Sequence, residues 1–110
     1  MRPLPRSMLI HAATLQTVGK DAWQTVTATT VANLTQIRID PSSKQIIAPD
    51  GTTKQLTATL FYDVRNSKPV GTTFALGQLV VFGSSTYLVE SIEPLYEARK
   101  LHHYEVGLSG

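Results

Sequence analysis

The chain has 110 residues, 42% of them hydrophobic and 16% charged, with ten basic and eight acidic side chains, a net charge of +2 and no cysteine. This length carries one modest core, and the small, scattered charge argues against an electrostatic nucleic-acid footprint. No run reaches the ~20 apolar residues of a helical membrane span, and a small domain without disulfides must be held by packing, by a metal or by partners.

Residues 1–7 contain Pro3 and Pro5 flanked by Arg2 and Arg6. The prolines predict an extended N-terminal arm rather than a helix. Two prolines and a short apolar stretch also make a poor secretion signal, so synthesis in the cytoplasm of the producing cell is expected. Residues 8–110 read as a single domain. Met8–Val18 is a strand candidate with Leu9, His11, Ala13, Leu15 and Thr17 on one face. Gly19-Lys20-Asp21 then signals a turn. Trp23–Asp40 is rich in Thr, Val and Ile and has no Gly or Pro, which predicts a long strand with a bend or bulge near Ala32-Asn33.

Pro41 ends that strand, and Pro49-Asp50-Gly51 breaks the chain again. Residues 40–55 therefore read as one protruding loop or a loose hairpin, long for so small a domain. Leu56–Val64 alternates cleanly. Leu56, Ala58, Leu60, Tyr62 and Val64 should point inward, and Thr57, Thr59, Phe61, Asp63 and Arg65 outward. Asn66-Ser67-Lys68-Pro69 closes that strand, and residues 72–76 form a connector or short edge strand. Leu79-Val80-Val81-Phe82 is a continuous apolar run, expected to be covered on both sides. Gly83-Ser84-Ser85 is a hairpin signal, and Tyr87–Ile92 and Leu101–Val106 are the last strands. Leu95–Lys100 has room for one helical turn after Pro94. The sum is an all-β domain of six to seven short strands, an antiparallel barrel or sandwich.

The chain shows no Gly-rich phosphate loop, nucleophile elbow or cysteine nucleophile, and its eight carboxylates are spread out. No catalytic, cofactor or metal residue is assigned. His103 and Glu105 share one strand face, but two ligands do not make a metal site. His103 and Tyr104 are expected to pack at a sheet surface with their polar tips toward a partner. Phe61 stands on the polar face of its strand beside Thr59 and Asp63, which marks it as an interface candidate. The pair Arg99-Lys100 reads as a solvated loop, with a phosphate contact as the sharper alternative. A small nucleic-acid-binding barrel is the competing class, and salt-dependent oligonucleotide binding would distinguish it.

Two stretches carry a family likeness. One is the opening Pro3-Leu4-Pro5-Arg6-Ser7-Met8-Leu9-Ile10-His11. The other runs from Gly77-Gln78-Leu79-Val80 through Tyr87-Leu88-Val89 to Leu101-His102-His103-Tyr104-Glu105-Val106-Gly107-Leu108. Together they resemble the minor capsid proteins of tailed phages and prophages, which are similar to head-closure, or stopper, proteins. The resemblance implies a small β-barrel with long loops, acting as a ring homo-oligomer in the virion between portal and adaptor above and tail terminator or tail proteins below. It also implies that a loop plugs the channel. Residues 40–55 are the candidate, with Asp40, Lys44, Asp50 and Lys54 its charged positions and either packaged DNA, by non-specific contact, or protein as what it meets. Arg2, Arg6, Phe61, His103 and Tyr104 are the candidate interface residues. Adaptor and tail terminator are the neighbouring roles, of which an adaptor should carry more helix.

Overall fold

The computed structural model describes residues 9–20, 26–47 and 50–110. Alternating and β-branched sequence gives strands throughout: β1 (His11–Lys20), β2 (Val26–Pro41), β3 (Gln45–Ile47), β4 (Thr53–Gln55), β5 (Ala58–Asp63), β6 (Leu79–Phe82), β7 (Ser85–Glu97) and β8 (Lys100–Ser109). No helix occurs among the described residues. Six strands close on themselves in the order β1-β2-β5-β8-β7-β6, all antiparallel. The closure is uneven, because β1 and β6 pair only over Thr14–Gln16 and Leu79–Val81. β3 and β4 form a separate hairpin.

The barrel is filled by Leu15, Leu34, Ile37, Ile39, Leu60, Val80, Val89, Val106 and Leu108, all buried. β2 must place Leu34 and Ile37 on the same face although they are three positions apart. A flat strand cannot do this, because its side chains alternate. The ladder to β1 slips between His11 and Ala13, and Gln36 takes a φ of 54°. This bulge restores the inward phase for Ile37 and Ile39. A second slip, between Leu15 and Gln16, leaves Val31 as the extra residue. The expected bend near Ala32-Asn33 is thus two irregularities that flank it.

The inward set of β5 is as expected, with Ala58, Leu60 and Tyr62 buried. Leu56 is buried too, but outside the central cluster, where it packs over Gly107. Asp63, expected outside, is fully buried. Its Oδ1 accepts the N–H groups of Arg65 (2.8 Å) and Asn66 (3.1 Å), so the turn that ends β5 folds over it. Ser67 fixes that turn. Its hydroxyl accepts the Asp63 N–H at 2.9 Å and donates to the Gln36 carbonyl on the bulge. Thr35 and Lys68 exchange backbone bonds beside it, at 2.9 and 3.0 Å. Ser67→Ala should therefore cost about 1–3 kcal/mol, because it strips partners from buried backbone groups. Urea titration measures this, and an unchanged midpoint would show the turn is held without the hydroxyl.

Four local expectations are corrected. Gly19 and Lys20 do not turn but pair with Thr27 and Val26, so β1 runs on; residues 21–25, including Trp23, lie outside the described residues. β2 continues through Pro41, which pairs with Ala58. The run Leu79–Phe82 is fully buried only at Val80, since the barrel covers one face. Leu95–Lys100 is not helical. β7 continues to Glu97, and Ala98 (φ 54°) and Arg99 turn directly into β8.

Antiparallel connectivity gives the barrel two unlike ends. One bears the β3–β4 hairpin and the Gly83-Ser84 turn. The other bears the β7–β8 turn, the chain that follows Asp63, and a two-stranded ribbon. In that ribbon β1 and β2 pair from Thr17–Lys20 to Val26–Thr29 beyond the reach of β6.

Candidate functional site

At the first end, Ser42 N–H donates to the Thr57 carbonyl (3.0 Å) and Leu56 N–H to the Lys44 carbonyl (2.8 Å). These two bonds root the β3–β4 hairpin on the barrel. Beyond them the hairpin is solvated: Lys44, Gln45, Ile47 and all of β4 are exposed, and Ile47 is 79% exposed. At its turn the Asp50 carboxylate accepts the Thr52 hydroxyl (2.6 Å) and the Thr52 N–H (3.0 Å). Those bonds, aided by Lys54, hold its pKa below the usual carboxylate value. Asp40 pairs instead with Arg38 on its own strand, at 2.7 Å. The hairpin thus presents Lys44 and Lys54 together with one ionised carboxylate at its tip. A cleft of about 410 Å³ between hairpin and barrel is lined by Ile46, Ile47, Leu76 and Ile92 with Glu90 and Ser91.

On the barrel wall, Phe61 is half-buried and stands between Arg38 of β2 and Glu105 of β8. Glu105 in turn lies directly opposite Glu93 of β7. His103 bonds Glu105 through Nε2 at 3.2 Å and His102 through Nδ1 at 2.6 Å, and is only 7% exposed. Period two predicts the first contact; the second arises because the two neighbouring rings meet edge to face. Tyr104 faces the other way. It packs with Tyr62 and Phe74 in an aromatic cluster, with centroids 5.7–6.3 Å apart. Little of His103 therefore reaches solvent, and Tyr104 serves the interior. Arg2 and Arg6 lie outside the described residues. His11, far from these in sequence, accepts the Ile39 N–H at 3.0 Å and packs edge-on against Phe82. It closes the ladder next to the bulge.

At the second end a cavity of about 960 Å³ opens between the turn after β5 and the β7–β8 hairpin. Arg65, Glu97, Arg99, Lys100 and His102 rim it, over Val64, Ala98 and Leu101. Arg65 lies within electrostatic reach of Glu97. Reading along the chain finds only Arg99-Lys100. Arg65 joins them because β5 and β8 are neighbours, a pairing that local sequence does not announce.

No curated protein and no solved structure matches the chain. A family model described as minor capsid protein matches residues 5–108. That span is nearly the whole chain, and it takes in the six barrel strands and the hairpin alike; the chain belongs to the minor capsid protein family and is a structural component of the phage virion.

Proposed function

We propose that the chain is the head-closure, or stopper, subunit. As a ring it sits below the portal and its adaptor, retains the packaged DNA and presents a docking surface to the tail. The observation that carries this reading is the two-ended barrel. A layer between two different neighbours needs two differently equipped faces, and a ring subunit buries further, non-identical surfaces against its copies. The hairpin and the β1–β2 ribbon meet the first need, and the cleft beside the ribbon is left for a contact between copies. The all-β content of the described residues favours a stopper over a helix-richer adaptor.

In this reading the β3–β4 hairpin projects into the channel. Asp40, Lys44, Asp50 and Lys54 make its root and tip nearly neutral, which suits a physical plug with non-specific contact to DNA more than an electrostatic clamp. Deleting residues 43–52 should leave the barrel folded, because the hairpin has its own small sheet. Particles carrying that deletion should lose packaged DNA, measured as the ratio of empty to full heads. Unchanged retention would remove the plug role from this hairpin.

Electron microscopy of lysates from a phage or prophage lacking the gene tests the position. Free tails beside emptied heads are expected. Full heads with tails of irregular length would favour the tail terminator, and normally joined virions would end the head–tail reading.

A further inference from the structure

Two surfaces of opposite charge are left over by the fold. The first is the cleft at the ribbon end, where Arg65, Arg99 and Lys100 face outward and Glu97 is the one acid on the exposed rim. The second is the wall of the β7–β8 ladder. Glu93 stands directly across from Glu105, and Glu90 bulges from β7 where the ladder slips between Val89 and Ser91. Like charges placed directly opposite in a ladder are destabilising. Among the described residues no lysine or arginine forms an ion pair with Glu90, Glu93 or Glu105. The outer edge of β7 beyond Ser91 also has no strand beside it, since β6 pairs only as far as Leu88.

We propose that the basic cleft of one copy docks on the Glu90, Glu93 and Glu105 wall of a second copy. The proposal rests on the ring reading above and names its subunit contact. A cation cluster and an anion cluster on different faces of one chain make a heterologous pairing, the kind that repeats around a ring. Each copy relieves the other's excess, and the charges set register and orientation more than raw affinity. The apolar floor of Val64, Ala98 and Leu101 gives the contact a dry centre. A nucleic acid fits less well. Its phosphates would gain nothing from that floor, and the acidic wall nearby would repel them.

Charge reversal tests the contact in the full chain. Arg99→Glu with Lys100→Glu changes two exposed residues at a turn, and Glu90→Lys with Glu93→Lys changes a half-buried residue at the hairpin cleft and an exposed one on the open ladder. Self-association is measured by sedimentation velocity at low salt and again near ~1 M, where the Debye length shrinks to about 3 Å. The wild type should associate, and salt should weaken it. Either double reversal should weaken association about tenfold or more, and the four-residue swap should restore it to near the wild-type level. Circular dichroism of each variant confirms that the barrel is intact.

A wild type that stays monomeric at low salt overturns the proposal, as does association indifferent to both reversals. In the second case the ring itself stands and only this contact falls. Normally joined virions from the gene deletion would sink the ring reading instead. Binding of a duplex oligonucleotide that is lost in the Arg99→Glu, Lys100→Glu variant, with no effect on association, would give the cleft to DNA and also overturn it.

Discussion

Gly107→Val should sharply lower the stability of the barrel. Gly107 sits within β8, between Thr59 of β5 and Ser91 of β7. Its φ is not positive, so glycine is needed here for space, not for backbone freedom. A Cβ at this position would lie 2.2 Å from the Ser91 hydroxyl and 2.8 Å from a methyl of Leu56. The Ser91 hydroxyl can rotate aside, but Leu56 cannot retreat easily, because it is itself buried and its backbone is tied to the Lys44 carbonyl. Overpacking of this kind costs about 1–3 kcal/mol, and more where the neighbour is ejected. Expelling Leu56 forfeits about 1.5–3 kcal/mol of burial besides. Against a total of about 5–15 kcal/mol, the thermal midpoint should fall by more than about 10 °C. Gly107→Ala should be milder, and Ser91→Ala should partly rescue it by removing the nearer obstacle. A Gly107→Val midpoint within a degree or two of wild type would mean that Leu56 does not lie over this strand.

The second large effect is expected at Tyr62. The ring is 1% exposed and makes edge-to-face contacts with Phe74 and a tilted one with Tyr104. Its hydroxyl donates to the Pro69 carbonyl. One side chain thereby ties the core to the connector between β5 and β6. Tyr62→Ala should cost about 3–5 kcal/mol, the usual toll of an aromatic cavity. Tyr62→Phe keeps the ring contacts and leaves the Pro69 carbonyl, on an exposed residue, with the Thr72 hydroxyl at 2.7 Å as its donor. It should cost only about 0.5–1.5 kcal/mol. Guanidinium titrations of the two variants separate packing from the hydrogen bond. Equal losses would place the stabilisation in the hydroxyl rather than in the ring.

What could be read from the sequence was local alternation. Leu60 and Tyr62 declare their face because each polar neighbour between them declares the other. Gly83 declares a two-residue turn because its φ of 61° suits glycine at the first central position. The length of β2 calls for a bulge near Ala32, and one lies beside it at Val31, but the second, between Leu34 and Ile37, has no mark in composition. Pro94 misled more seriously. It suggested a break, yet β7 has only β8 as a ladder partner there, and an edge tolerates a residue without an N–H. Asp63 has the outward phase predicted for it but is buried, because the following turn folds back over it. The surfaces were least legible. Arg65 and Arg99 meet only through the pairing of distant strands, and Glu93 faces Glu105 only in one register.

The unlike ends of the barrel have a bearing on how such a protein changes over time. β5 joins them directly. At about 3.3 Å per residue, its six residues separate the hairpin root from the basic cleft by about 20 Å. Substitutions that far apart, with no shared contacts, usually add independently. One end can therefore change its surface while the other keeps its own, with Leu60 and Tyr62 as the fixed hub between them.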